Sequence, residues 1–246
     1  MKRLAIVAVI MFLAGCSAET ELTRLDPGLT AEELRQGKVA VLGVVKFQEP
    51  DQVRPPLIAM LERTWREERK DVPLIPADSV RQALGRERDQ KLLLGYEYQG
   101  SLEANALGEI ADSLRGIARY VLVARVDKDK ERNATRGISR SDTTSSQHIL
   151  YAMGVTGRDA WVTVQLYDLY HRTLAMSARF QGSSENSHPM LAPDMGQVMS
   201  PNLPPEERQF PDSPALALAL EQPFRDFARI VPGSATKPST QPLEKK

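Results

Sequence analysis

The stretch Lys38-Val39-Ala40-Val41-Leu42-Gly43-Val44-Val45 is the longest apolar run of this 246-residue chain beyond its N-terminal segment. The run shows no alternation of polar and apolar residues, which is typical of a strand buried on both faces. A strand of this kind needs helices on each side of its sheet. The run therefore predicts an α/β domain.

Apolar spacing and turn residues predict the elements that follow this strand. The first is a helix that begins at Pro55 and Pro56 and reaches residue 70, followed by an edge strand over 72–76 and a helix capped by Asp78 or Ser79. A helix over 101–115, a strand over 120–126 and a β-hairpin over 161–181 come next. The last element is a helix over 215–230 that Pro223 kinks or splits. We expect one α/β domain over 38–231, with α+β as the alternative, built on a mixed sheet of about four to five strands packed with helices.

Three polar segments interrupt or follow this pattern. Residues 127–157 are predicted to form a polar loop, with two interpretations left open: an extended hairpin or mobile excursion, and a recognition arm that becomes ordered on a partner. Residues 183–214 carry seven prolines and are predicted to form a long surface connection. Residues 232–246 are predicted to be a disordered tail.

The N-terminus has the basic, apolar and small-residue regions of a secretory signal over residues 1–15. The tetrad Leu13-Ala14-Gly15-Cys16 resembles the lipobox of bacterial lipoproteins, in which the cysteine thiol receives a diacylglyceryl group, so Cys16 is the predicted lipidation site. An ordinary signal with a chance cysteine is the alternative. The residue after Cys16 is Ser17, as in outer-membrane lipoproteins. Residues 16–37 are expected to be a linker with a short helix, because Thr30 and Glu33 match a capping box.

The sequence is poor in signals for catalysis or cofactor binding. It contains no phosphate-binding glycine loop, dinucleotide fingerprint, zinc-protease helix or nucleophile elbow. The 32 basic and 32 acidic side chains cancel, which does not favour nucleic acid as a partner. The histidines His148, His171 and His188 lack the spacing of a metal site. We expect no catalytic residue, no cofactor and no metal, and we expect Asp168 to stabilise a hairpin turn.

The order of apolar runs is similar to a group of periplasmic α/β domains: the curli-secretion-channel lipoproteins, the N-terminal domain of the Tol propeller protein and the lipoprotein activators of penicillin-binding proteins. The resemblance covers residues 38–180 and is carried by the runs at 38–44, 72–80, 118–126, 162–168 and 174–180. The group's Asp-x-x-Thr-Gly hairpin appears here as Asp168-Leu169-Tyr170-His171-Arg172-Thr173, without the glycine. The resemblance implies a domain that binds other proteins and is not an enzyme.

These observations predict a lipid-anchored, non-catalytic scaffold or adaptor on the periplasmic face of the outer membrane, with an unidentified envelope protein as partner. One alternative is an oligomeric component of an outer-membrane secretion channel, although residues 149–153 and 194–199 lack the alternation of membrane-spanning strands. The other alternative is a periplasmic hydrolase. It requires two or three of Asp168, His171, Glu185 and His188 to converge in one pocket.

Overall fold

A computed structural model describes residues 20–47, 54–141, 149–192 and 210–233. Its elements in chain order are β1 (Thr20–Leu25), α1 (Ala31–Gly37), β2 (Val39–Lys46), α2 (Arg54–Glu68), β3 (Leu74–Ile75), α3 (Ala77–Leu84), α4 (Arg86–Gln99), α5 (Ala104–Ser113), β4 (Tyr120–Ser141), β5 (Ile149–Asp168), β6 (Thr173–Ala192) and α6 (Leu216–Ile230). They form an α/β fold around one six-stranded sheet of order β1-β6-β5-β4-β2-β3.

The strand predicted from the opening apolar run is β2, and it is buried on both faces. It lies parallel to both neighbours, β3 and β4. The pairs β4–β5, β5–β6 and β6–β1 are antiparallel. The predicted α/β class is therefore confirmed, and β3 is the predicted edge strand. The sheet has six strands, slightly more than expected.

Two hydrophobic cores lie on opposite faces of the sheet. On the first face, α2 and α6 pack on β2, β4, β5 and β6, and the Phe227 ring contacts the rings of both Trp65 and Phe180. On the second face, α3, α4 and α5 pack on β2, β4 and β5. The result is a three-layer sandwich, as the unbroken apolar run in β2 requires.

The last helix, α6, was predicted within one residue, but Pro223 does not split it. A proline inside a helix leaves the carbonyl four residues earlier without its backbone donor, and here that carbonyl belongs to Ala219. Gly182 of β6 lies against this carbonyl: a Cβ on Gly182 would come within 2.0 Å of the Ala219 oxygen. The glycine therefore allows helix and sheet to approach closely.

The segment predicted to be a linker is structured over much of its length. Residues Thr20–Leu25 form β1, an exposed edge strand that pairs antiparallel with β6, so the linker prediction was wrong for these residues. The predicted capping box is present at the start of α1, where the Thr30 hydroxyl accepts from Glu33 N at 3.3 Å. The short polar sequence of β1 has no core face, which explains why its hydrophobicity pattern did not reveal a strand.

Two predicted loops also prove to be strands. Most of the polar stretch 127–157 belongs to β4 and β5, which confirms the extended-hairpin interpretation and contradicts the mobile loop for the described residues. Residues 183–192 of the predicted proline-rich connection belong to β6. Residues 193–209 and 234–246, in the predicted connection and tail, lie outside the described residues. Within the described parts of the chain, no helix is long and apolar enough to span a membrane.

Candidate functional site

Cys16, the predicted lipidation site, lies outside the described residues, so its modification stays a prediction. The position of β1 nevertheless changes what lipidation would mean. Thr20 begins β1 only four residues after Cys16, a separation of at most about 14 Å in a fully extended chain. A lipid on Cys16 would hold the sheet itself close to the membrane surface.

The most prominent feature beyond the core is an extension of three strands, which we call the arm: residues 127–141, 149–161 and 181–192. The pairing of β2 with β4 ends at Val126, and the pairing of β1 with β6 ends at Phe180. In the arm, β5 is the central strand and pairs with both neighbours. The outer strands therefore have no second strand partner among the described residues, and the arm presents two open edges over about 40 Å.

Ion pairs across the strands hold the middle of the arm together. Arg132 pairs with Asp159 of β5 at 3.1 Å and with Glu185 of β6, and Arg136 pairs with Glu185 at 2.8 Å. The hydrogen bond from Arg132 is the main reason that the pKa of Glu185 is lowered. Exposed pairs of this kind contribute little stability individually, but together they favour one strand register.

A more buried group of charges fixes the root of the arm. Asp129 accepts from Arg158 at 2.5 Å and from Lys46 at 2.7 Å. Burial favours a raised pKa for Asp129, but these two cations outweigh it and the pKa is lowered. Arg158 also donates to the Pro214 carbonyl at 3.1 Å, just before α6. The arm is thus joined to both the core sheet and the last helix.

At the opposite end of the sheet, four side chains form what we call the basal cluster: Glu33, Arg119, Asp168 and His171. Arg119 donates to Asp168 at 2.7 and 3.2 Å and to Glu33 at 3.2 Å. The His171 ring lies 2.9 Å from the same Asp168 carboxylate. Burial alone would raise the pKa of Asp168, but the donors from Arg119 and His171 lower it overall.

Asp168 has the turn-stabilising role expected from the sequence. Its Oδ1 accepts from Tyr170 N at 2.8 Å and from His171 N at 3.3 Å, which closes the hairpin between β5 and β6. The glycine missing from the motif is replaced by Arg172, which adopts φ +54°. The turn keeps a conformation that glycine favours, with a charged side chain in its place.

Of the four groups named by the hydrolase alternative, two lie together, which is the smallest number that this alternative requires. Asp168 and His171 belong to the basal cluster, whereas Glu185 and His188 lie on the arm. Glu185 is opposite Gly157, eleven residues along β5 from Asp168, which separates the two pairs by about 35 Å. Within the described residues, no group of three His, Cys, Asp or Glu side chains is placed to hold a metal ion.

Several aromatic and charged side chains differ in exposure. Tyr96 and Tyr167 are buried and serve the core, while Tyr98 is 65% exposed and Tyr170 78% exposed. Asp89 is buried and accepts from Arg81 at 3.3 Å. Burial raises the pKa of Asp89.

Beside the basal cluster is a cavity of about 590 Å³ that the sequence did not reveal, here called the basal pocket. It is bounded by the end of α1, the segment between α5 and β4, and the β5–β6 turn. Its charged lining residues are Lys38, Asp112, Arg115, Arg119 and Arg172. These residues are far apart in the chain and match no motif, so only the fold brings them together.

No protein-family model matches the chain, and no curated protein matches it. Solved structures similar to it include the PelC dodecamer from Paraburkholderia phytofirmans, with 18% identity, TM-score 0.33 and coverage of 68% of this chain and 82% of that one. The hypothetical protein CT253 from Chlamydia trachomatis is 17% identical with TM-score 0.36, covering 79% of this chain and 95% of that one.

Lipoprotein GNA1162 from Neisseria meningitidis is 13% identical with TM-score 0.30, covering 66% of this chain and 90% of that one. The finer assignment to the curli, Tol and penicillin-binding-protein-activator group stays a prediction. At these low TM-scores the likenesses carry no conclusion about function.

Proposed function

We propose that the protein is a lipid-anchored, non-catalytic scaffold or adaptor of the cell envelope that binds a partner protein through the arm. The observation that carries this proposal is the pair of open edges on the arm's outer strands. The anchor at Cys16, the outer-membrane location and the absence of catalysis are parts of the same proposal. The basal cluster agrees with a non-catalytic role, because its carboxylates are engaged in holding Arg119 and the hairpin turn.

An open strand edge offers a row of backbone donors and acceptors to an incoming extended segment. On β4 this edge is flanked by Lys128, Lys130, Arg132 and Arg136, of which Lys128 and Lys130 have no carboxylate partner among the described residues. The same lysines disfavour indiscriminate pairing with other edges. A partner segment that is extended and acidic fits this edge best.

Site-specific photocrosslinking in intact cells tests the proposal. A photoreactive residue is placed at Lys130, Asn133 or Thr135 on the arm, and at Lys91 on α4 as the matched exposed control. We expect one and the same protein adduct from the arm positions and its absence from Lys91. Equal adducts from all four positions, or none from the arm, would contradict the arm as the binding surface.

A homo-oligomer is a second candidate, favoured by the presence of two different open edges on one arm. The β4 edge of one copy would pair with the β6 edge of the next, continuing the sheet between copies. The described part of the arm carries charges on both faces, for example Glu131 and Arg158 on one and Arg132 and Asp159 on the other. Such strands lack the lipid-facing apolar side of a membrane channel.

Light scattering on the detergent-solubilised protein separates the two candidates. A monomer that still gives the heterologous adduct favours the adaptor. A defined oligomer whose copies crosslink from Lys130 to positions on β6 favours self-assembly. Loss of the oligomer on charge reversal at Lys128 and Lys130 would assign it to the arm.

A further inference from the structure

The basal pocket has the size of a small-molecule site and is assembled from three separate segments. Its walls are residues 36–38 after α1, residues 111–119 around the end of α5, and Leu169, Tyr170 and Arg172 of the hairpin turn. A cavity of about 590 Å³ is within the range of pockets that hold small ligands. Ile117 is 38% exposed and Tyr170 78% exposed there, so both present apolar surface to a ligand.

Two basic residues in this pocket adopt backbone conformations that disfavour any side chain. Lys38 has φ 54° and ψ 154°, and Arg172 has φ 54°; they are the only non-glycine residues with positive φ in the described parts of the chain. Glycine adopts such angles without steric cost, and residue 37 is itself a glycine. Strained backbone of this kind clusters at ligand-binding sites, so both side chains are candidates for binding.

The two strained residues are also the pocket's unneutralised cations. Arg119 is engaged by Asp168 and Glu33, and Arg115 pairs with Asp112 at 3.0 Å. Neither Lys38 nor Arg172 has a carboxylate within ion-pairing distance in the described parts of the chain. Lys38 directly follows α1, where a cation would also stabilise the C-terminus of the helix. That role does not require a strained backbone, because neighbouring helical positions satisfy it equally well.

We propose that the basal pocket binds a phosphate-bearing ligand, whose phosphate meets Lys38 and Arg172 while its remaining atoms lie against Ile117, Leu169 and Tyr170. Two unpaired cations match the charge of a phosphate dianion, and a guanidinium can bind two of its oxygens at once. The phosphate can belong to a soluble ester or to a lipid headgroup. This site is separate from the arm, so it is independent of the protein-binding proposal.

Calorimetric titration of the full chain, purified in nonionic detergent, tests this inference. Sodium phosphate at neutral pH and constant ionic strength is the probe, and sodium acetate is the singly charged comparison. We expect saturable binding of phosphate that is tighter than that of acetate. The absence of saturable phosphate binding, in solution and in the vesicle experiment below, would overturn the proposal.

Glycine variants provide a sharper test because they should act oppositely on binding and stability. Lys38→Gly and Arg172→Gly are each expected to weaken phosphate binding about tenfold while raising the Tm, since each removes a charge-assisted contact and relieves the backbone. Lys38→Arg should keep the binding. Lys91→Gln, which removes an exposed cation outside the pocket, should change neither property. Unchanged binding in both glycine variants would overturn the site, and a lowered Tm in both would overturn the argument from strain.

Vesicles distinguish the two sources of phosphate. Flotation of the chain carrying Cys16→Ser with vesicles of phosphatidylcholine containing phosphatidic acid, compared with phosphatidylcholine alone, reports headgroup binding. Binding to phosphatidic acid that Lys38→Gly abolishes assigns the pocket to a headgroup. Phosphate binding in solution without vesicle binding assigns it to a soluble ester. Vesicle binding that persists in Lys38→Gly, without phosphate binding in solution, contradicts the pocket as the site.

Discussion

Replacement of Asp168 by asparagine should destabilise the fold through the basal cluster. The side chain keeps its shape and its Oδ1 can still accept from Tyr170 N, so the turn's backbone hydrogen bond can survive. The lost feature is the negative charge that Arg119 contacts with two nitrogens, at 2.7 and 3.2 Å. The Asp168 side chain is only 8% exposed, so water replaces that charge poorly.

The size of the effect follows from the exposure of the two partners. Removing one member of a fully buried ion pair costs about 3–5 kcal/mol, because the other charge is left uncompensated. Arg119 is 27% exposed and retains Glu33 at 3.2 Å, so the uncompensated charge is partly relieved. We therefore expect Asp168→Asn to lower the free energy of unfolding by about 2–3 kcal/mol.

Urea denaturation measures this loss as a lower midpoint at unchanged m-value. The double variant Asp168→Asn with Arg119→Gln should lose less free energy of unfolding than the sum of the two single variants. Each single variant leaves the polar or charged group of the other partner without its contact. Additive losses, or a loss below about 0.5 kcal/mol for Asp168→Asn, would refute an energetic role for the pair.

The same pair predicts the direction of the pH dependence. The pKa of Asp168 is lowered in the folded state, so its contribution is complete above the unfolded value near 4 and disappears as pH falls through the lower folded value. Wild-type stability should therefore fall across this acidic interval more steeply than that of Asp168→Asn. Parallel curves for the two proteins would contradict the assigned shift.

Three further substitutions test the packing and the arm. Gly182→Ala should lower the free energy of unfolding by at least about 1–3 kcal/mol, because its Cβ would overlap the Ala219 carbonyl. Limited proteolysis of this variant should show earlier cleavage in α6. Phe227→Ala should cost about 3–5 kcal/mol in urea, since the ring is fully buried against Phe180. Glu185→Gln should lower the free energy of unfolding by less than about 1 kcal/mol, because its partners Arg132 and Arg136 are exposed. Calorimetry at low and high salt should show that the variant has lost the part of the salt dependence of stability that these ion pairs cause.

The elements predicted well are those whose side chains face a core. The run at 38–45 became β2, the segment 72–76 contained the edge strand β3, and the alternation at 161–181 marked the hairpin of β5 and β6. In each case the apolar residues mark the faces that exclude water, as a continuous run in β2 with both faces buried and as alternation at 161–181. Cys16 and its lipid were also inferred from local sequence and stay a prediction.

Helix α4 was missed although its Leu92, Leu93 and Tyr96 face the second core, whereas the other missed elements lack a core face. Strand β1 is exposed along its whole length, and the described part of the arm is held by backbone pairing and by ion pairs such as Arg132 with Glu185. Backbone hydrogen bonds form regardless of side-chain polarity, so a polar strand resembles a loop in its composition. The positive φ of Lys38 has no signal in the sequence either, because lysine rarely adopts it.

The sequence by itself thus determined the class of fold, the buried strand at its centre and the candidate anchor, since each depends on neighbouring residues and their hydrophobic period. Only the tertiary structure decided the length of the arm, its two open edges and the grouping of Lys38, Arg119 and Arg172 beside one cavity. The physical reason is that strand pairing and charge clustering join residues far apart in the chain. Their contacts depend on register and packing, which hydrophobic periodicity does not encode.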